Sequence, residues 1–294
     1  MKYLFTALLI AILAPGLLAR EDKNTFTLTV GKWEVTLLSE GQQEGRAAIL
    51  VGATPKMLEL IPGGAFPNAI NAFLARSGDM LVLIDTGLGN RLFDHLQALG
   101  VSPLEIDVVL LTHMHGDHIG GMFRDGQRAF PNARVYLSLQ ERDYWTRLPG
   151  NAARVIEAYR EQLHLFEPTG AAEGGVPLLP GIRAISAFGH TPGHSTYLLE
   201  SDGERGGRGG RYGERLLVWG DLTHAMAIQM PYPGVAVTYD VDPARAVTSR
   251  EEILSFVSRE RLLVAGMHVA YPGIGRIEEV SPGSYRFLPA THQE

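Results

Sequence analysis

Four side chains able to ligate a metal fall within six positions of this chain. They are His113, His115, Asp117 and His118, inside the run LTHMHGDHIGG at 111–121. The apolar stretch Val108–Leu111 leads directly into it. Imidazole and carboxylate are ligands for zinc and similar first-row cations. On an extended or turning backbone, side chains alternate with period two, so His113 and His115 face one side. Gly116 lets the chain turn, and Asp117 and His118 then face a second point close by. One short loop can therefore offer two ligands to each of two neighbouring cations. The remaining ligands must come from elsewhere in the chain.

Composition narrows what those ligands can be. There is no cysteine, so thiolate ligands, disulfides and a lipid-attachment cysteine are all excluded. The site must be built from His, Asp and Glu. At 294 residues, 45% hydrophobic and 20% charged, the chain has the composition of an ordinary globular protein. A net charge of −6 without a dense Lys/Arg block argues against nucleic acid as a substrate. The first residues differ from the rest: Lys2, an apolar run from Tyr3 to Leu13, Pro15-Gly16, then Leu17-Leu18-Ala19. This is the pattern of a signal peptide over 1–19, too short and too broken to span a membrane. The expectation is a secreted or periplasmic protein of residues 20–294, with no stable membrane anchor after cleavage.

Patterning along the chain predicts a layered α/β protein. FTLTVGKWEVTLL at 26–38 alternates on both sides of Gly31-Lys32 and reads as a hairpin. Residues 42–67 read as irregular. Met80–Ile84 is a short apolar strand ending at Asp85-Thr86-Gly87, and 91–99 has helical spacing. Strands are expected at 106–111, 134–137, 182–187, 196–199, 216–219, 262–265 and 285–289. Helices are expected at 139–145, 152–163 and 243–261, the last with Asp242 as N-cap. The Gly/Arg-rich stretch 201–214 reads as a hairpin tip. Strands followed by helices in both halves suggest two sheets packed face to face with helices outside.

Four further places carry His or Asp at a strand end beside or near a glycine. These are Asp85, GHTPGH at 189–194, Gly220-Asp221 and Gly266-Met267-His268. With IDTG at 84–87 and THMHGDHIGG at 112–121, the set resembles the metallo-β-lactamase superfamily in its dinuclear hydrolase branch. Three segments, 129–145, 180–201 and 271–289, are similar to methyl parathion hydrolases, whose exported relatives include lactone and aryl-ester hydrolases. The resemblance implies a four-layer αββα sandwich of the α/β (α+β) class. It implies two divalent metal ions, zinc first, with Mn, Fe or Co also compatible with these ligands. His113, His115 and His190 would hold one ion; Asp117, His118 and His268 the other; Asp221 would bridge them. Asp85 would orient a ligand imidazole, and Phe93 and Trp145 would wall a substrate pocket. His194 is expected to hydrogen-bond locally. His224, His95, His164 and His292 are expected in structural or surface roles.

The implied reaction is hydrolysis by a hydroxide shared between the two metals, with Asp117 positioning it and carrying its proton. The expected partner is a small uncharged apolar substrate, a lactone or aryl ester first and a phosphotriester second. A homodimer, common among relatives, is compatible with the resemblance. A non-catalytic metal-binding scaffold would show substituted ligands, and none is substituted.

Overall fold

The apolar runs are strands buried on both faces. In the computed structural model, which describes residues 24–201 and 215–291, seven strands form a first sheet in chain order. They are β1 (Thr25–Val30), β2 (Trp33–Arg46), β3 (Ala65–Ser77), β4 (Met80–Ile84), β5 (Val108–Leu110), β6 (Arg134–Ser138) and β7 (Leu163–Phe166). β1 to β4 pair antiparallel, and β4 to β7 pair parallel. A second seven-stranded sheet also follows chain order: β8 (Val176–Leu179), β9 (Ile182–Ser186), β10 (Ser195–Glu200), β11 (Arg215–Val218), β12 (Leu263–Ala265), β13 (Ile274–Ser281) and β14 (Ser284–Pro289). Only β11 and β12 pair parallel there. The expected signal peptide lies outside the described residues, as do 202–214 of the glycine- and arginine-rich stretch. Among the described residues, no helix is long and apolar enough to cross a membrane.

Alternation along each strand sorts side chains into layers. Val82, Ile84, Val108 and Leu110 meet Ala184, Tyr197, Leu199, Leu216 and Val218 between the sheets. Their neighbours Leu81, Leu83, Val109 and Val135 face outward, against the helices α1 (Leu92–Ala98) and α3 (Asn151–Ala158). On the other side, Leu198, Leu217 and Val264 face Ile253, Leu254 and Val257 of α4 (Pro243–Arg259). Strands buried on two faces need continuous apolar runs, which is why these were legible as buried strands. The result is the four-layer αββα sandwich.

Two differences from the sequence reading concern strand β2 and the edge strands β7 and β8. Residues 42–46 are not irregular: β2 continues through a bulge between Ser39 and Gly41 and pairs with β3 as far as Arg46–Ala65. The ladder is held there by backbone hydrogen bonds, so polar side chains do not interrupt it. The short edge strands β7 and β8 carry too little alternation to stand out. Asp242 caps α4 as expected, its Oδ1 accepting the Arg245 N–H at 3.0 Å.

Candidate metal centre

The loops that follow β4, β5, β9, β11 and β12 open at one edge of the sandwich and carry every candidate ligand. Placement of loops at the carboxyl ends of parallel strands is where open α/β sheets form sites. Three ties across the sheets lock this edge. Tyr197 Oη donates to Leu111 O at 2.6 Å, and Ser195 N–H donates to Thr112 O at 2.9 Å. Asn71 Nδ2 donates to both Gly266 O and Val269 O, at 3.0 and 2.8 Å.

Two clusters share one carboxylate. In the first, His115 Nδ1 lies 2.9 Å from His113 Nε2 and 3.0 Å from His190 Nε2. Asp221 Oδ2 is 3.2 Å from His190 Nε2 and 3.6 Å from His113 Nε2. In the second, His118 Nε2 lies 3.8 Å from Asp117 Oδ1 and His268 Nε2 3.5 Å from Asp117 Oδ2. Asp221 reaches this group too, its Oδ1 3.1 Å from His118 Nε2 and its Oδ2 3.1 Å from His268 Nε2. Within each cluster the ligand atoms lie within 4.8 Å of one another. All seven side chains assigned from the sequence thus come together, with Asp221 between the two sets.

Whether these residues fit a cation can be read from what they leave unsatisfied. His118 Nε2 and Asp221 Oδ1 are buried and 3.1 Å apart, yet neither has a hydrogen-bond partner among the described residues. Two buried polar atoms that converge without bonding each other are the arrangement a shared cation satisfies. The ring nitrogens facing away from the clusters are held in place. His118 Nδ1 meets Asp85 Oδ2 at 2.7 Å, and His268 Nδ1 meets Ala69 O at 2.9 Å. His190 Nδ1 meets Asp240 Oδ1 at 2.9 Å, and His113 Nδ1 meets Thr112 Oγ1 at 3.1 Å. Asp85 also accepts the Thr112 N–H and hydroxyl, at 2.8 and 2.7 Å. It does so from a left-handed backbone with φ 55, which aims the carboxylate inward.

Charge in the metal-free centre collects around Asp221. Burial works against its ionised form, but His118 and His268 outweigh it and hold its pKa well below the usual carboxylate range. Burial also opposes protonation of His118, and Asp221 and Asp117 outweigh that, raising it well above the ordinary imidazole value. His190 is opposed by burial and raised to about 9 by its hydrogen bonds to Asp221 and Asp240. Burial drives His115 down to about 4, with the His190 charge adding to it. Asp221 is therefore charged and ready, while part of the imidazole set holds protons that a metal would displace.

Other candidates fall elsewhere. Phe93 does not line the cavity above the clusters. It stacks on Phe130 at 6.2 Å under the outer face of the first sheet, because its position on α1 points it at the apolar layer there. Trp145 closes the helix α2 (Leu139–Trp145) and stands edge-on to His115 at 5.6 Å. Its Nε1 donates to Glu141, and it too is absent from the cavity wall. His194 is bound on both nitrogens, to Ala187 O at 3.0 Å and to the Asp221 N–H at 3.1 Å, so it braces the bridging residue as well as its own loop. His224 is closer to the centre than expected: its Nε2 is 3.1 Å from Asp221 Oδ2 and its ring stacks on His268 at 4.6 Å.

A cavity of about 580 Å³ opens over Asp117 and the clusters, walled by Gln43, Glu44, Arg46, Ile49, Asn68 and Tyr239. Its walls come from the end of β2, the segment after it, the start of β3 and the loop before α4. None of these wall residues belongs to a motif visible in the sequence. Four of them, Gln43, Glu44, Arg46 and Ile49, fall in the stretch 42–67 that the sequence reading takes as irregular.

Comparison with known proteins agrees with the fold. The family model of the metallo-beta-lactamase superfamily matches residues 65–205. An atrochrysone carboxyl ACP thioesterase from Aspergillus chevalieri is 28% identical over 257 residues, covering 85% of this chain and 77% of that protein. The protein YobT from Bacillus subtilis is 31% identical over 149 residues, 46% of this chain and 58% of its own length. Among solved structures, the hydrolase AbOPH of the beta lactamase superfamily superposes with a TM-score of 0.78 at 26% identity, over 92% of this chain and 99% of that one. AidC, a dizinc quorum-quenching lactonase, superposes with a TM-score of 0.77 at 22% identity, over 91% and 98%, a likeness of fold. In agreement with these matches, the chain has the metallo-β-lactamase fold, is similar to that superfamily over residues 65–205, and is a metal-dependent hydrolase.

Proposed function

We propose that this protein is an exported dinuclear metallohydrolase of small uncharged lactones or aryl esters. The observation that carries the reading is the sharing of Asp221 between two complete ligand sets beneath an open cavity. When bound there, two divalent cations would lower the pKa of a water and polarise a scissile carbonyl. His113, His115 and His190 would hold one ion, and Asp117, His118 and His268 the other. Asp117 is open to the cavity, with 28% of its side chain exposed against 2% for Asp221. Its carboxylate is therefore placed to take a proton from the attacking water and return it to the departing alkoxide or phenoxide.

The cavity walls support an uncharged substrate. Among the described wall residues, Arg46 is paired with Glu44 at 2.5 Å, which offsets its charge toward an anionic ligand. Tyr239, its ring 5.7 Å from that of His224, gives an aryl or acyl group a surface to lie on. The lactonase and thioesterase relatives support acyl chemistry in this fold. The second reading is a phosphotriester hydrolase, favoured by the segments at 129–145, 180–201 and 271–289 that resemble methyl parathion hydrolase. The N-terminal pattern supports export.

The test is a panel of acyl lactones, an aryl ester and an aryl phosphotriester, assayed with metal-reconstituted and chelator-stripped protein. Metal-dependent turnover with the highest kcat/KM on a lactone or aryl ester is expected. A higher kcat/KM on the phosphotriester would select the second reading. No metal-dependent turnover of any member would overturn both.

A further inference from the structure

The segment between Asp221 and Asp240 begins at the bridging carboxylate and ends at another buried carboxylate. Asp240 Oδ1 meets His190 Nδ1 at 2.9 Å, and its Oδ2 accepts the Val237 N–H at 2.9 Å. The backbone just after it is clamped to the His190 loop: Val241 N–H donates to His190 O at 3.1 Å and Asp242 N–H to Gly189 O at 2.8 Å. The four other histidine ligands are supported differently. His118 has Asp85, His113 has the Thr112 hydroxyl, His268 has a carbonyl, and His115 has the edge of Trp145. Among the described residues, Asp240 is thus the one carboxylate bonded to the outward ring nitrogen of any histidine in the first cluster.

The segment is filled by two polar side chains that no cation or substrate requires. Arg250, 1% exposed on α4, donates from Nε to Leu222 O at 2.7 Å and from Nη1 to Pro233 O and Val235 O at 2.7 and 2.9 Å. Gln229 accepts the His224 and Ala225 N–H groups at 2.7 and 3.0 Å and donates to Val235 O at 2.9 Å. A buried guanidinium holding three carbonyls of one loop fixes the distance between the loop's two ends. One end is next to Asp221 and the other leads to Val237 and Asp240.

We propose that Asp240 is a positioning residue for the first metal, and that Arg250 acts through the 222–240 loop to hold Asp240 and Asp221 in register. The carboxylate fixes the tautomer and rotation of His190, leaving Nε2 bare toward the cluster. Asp85 does the equivalent for His118, so each ion would have one imidazole backed by a buried carboxylate, one from the loop after β4 and one from the loop before α4. The inference rests on the dinuclear reading above, and its test separates the two.

The test compares wild type, Asp240→Asn and Asp240→Ala by metal content after dialysis against graded chelator, with circular dichroism and thermal melting of the metal-free proteins alongside. Wild type is expected to hold two ions. Asp240→Ala is expected to lose one of them at about 10- to 100-fold lower chelator strength, as removal of a partner behind a ligand imidazole typically does. Asp240→Asn, whose amide oxygen can still accept from His190, is expected to fall between them and keeps the test open should Asp240→Ala fail to fold. Variants that melt lower but release both ions at the wild-type chelator concentration would overturn the positioning role. Fewer than two ions in wild type would instead overturn the dinuclear reading.

Discussion

Replacing Asp85 by asparagine changes one atom of the group behind His118 and should disable the second metal position. Asparagine tolerates the left-handed backbone at this position about as well as aspartate, so φ 55 can be kept. Asp85 accepts three hydrogens, from Thr112 N, Thr112 Oγ1 and His118 Nδ1. The amide can still accept the Thr112 N–H through its oxygen, but its NH2 then faces the other two donors. The threonine hydroxyl can rotate and accept. The imidazole can accept only by moving its proton to Nε2, where it points at Asp221 Oδ1, 3.1 Å away, and fills the cation's place. Keeping Nε2 bare instead leaves a buried donor unpaired, at about 1–3 kcal/mol. That corresponds to about 5- to 150-fold weaker binding at this position, since each tenfold is worth about 1.4 kcal/mol. Isothermal titration with Zn or Co of the metal-free variant measures it directly. The expected isotherm has one site at wild-type affinity and one weakened by that factor. Two sites at wild-type affinity would refute the account of Asp85 as the group that sets the His118 tautomer.

Metal uptake should strengthen with pH. His190 is protonated up to about 9 in the metal-free protein and binds a metal only as neutral imidazole, so that proton alone should raise affinity up to tenfold per pH unit below 9; a flat profile by competition titration contradicts this. The same shift fixes its effect on metal-free stability. The raised folded pKa stabilises fully below the ordinary value of 6.5 and is lost as pH rises through about 9, which chemical denaturation at pH 6 and 9.5 would detect. Gly220→Ala should destabilise by about 1–3 kcal/mol from its φ of +59 alone, and its Cβ, 2.4 Å from His194 Nε2, should displace the ring that holds the Asp221 N–H. Melting temperature and metal content should both fall, and a variant with wild-type metal content would show that His194 does not brace Asp221. Phe93→Ala should cost about 1–3 kcal/mol of stability through lost packing on Phe130 and leave KM unchanged for every substrate in the panel; a KM change would place Phe93 at the substrate after all.

The ligand set was legible because each member sits in a short motif at a strand end with a glycine beside or near it, where chemistry leaves a local imprint. The buried strands were legible for a similar reason, since Leu81–Ile84 and Val108–Leu111 face two apolar layers at once. What escaped was anything whose role arises only when distant segments fold together. Asp240 lies 50 residues from His190 and in no motif. Arg250 lies on a helix where an arginine is ordinarily solvent-facing, and only the carbonyls of the 222–235 segment give it a buried role. Phe93 was misplaced because the helical stripe at 92, 93, 96 and 99 is equally compatible with a core face, which is the face it occupies. The cavity wall along 43–46 was hidden because a backbone ladder holds that strand without an apolar pattern.

The central claim is that two cations share Asp221, and spin coupling tests it most directly. Metal-free protein reconstituted with Co(II) should take up two ions per chain, and its electron paramagnetic resonance signal should show the coupling of ions bridged by one carboxylate. Asp221→Ala should abolish that coupling. One ion per chain, or two ions with independent spectra unaffected by Asp221→Ala, would contradict the account.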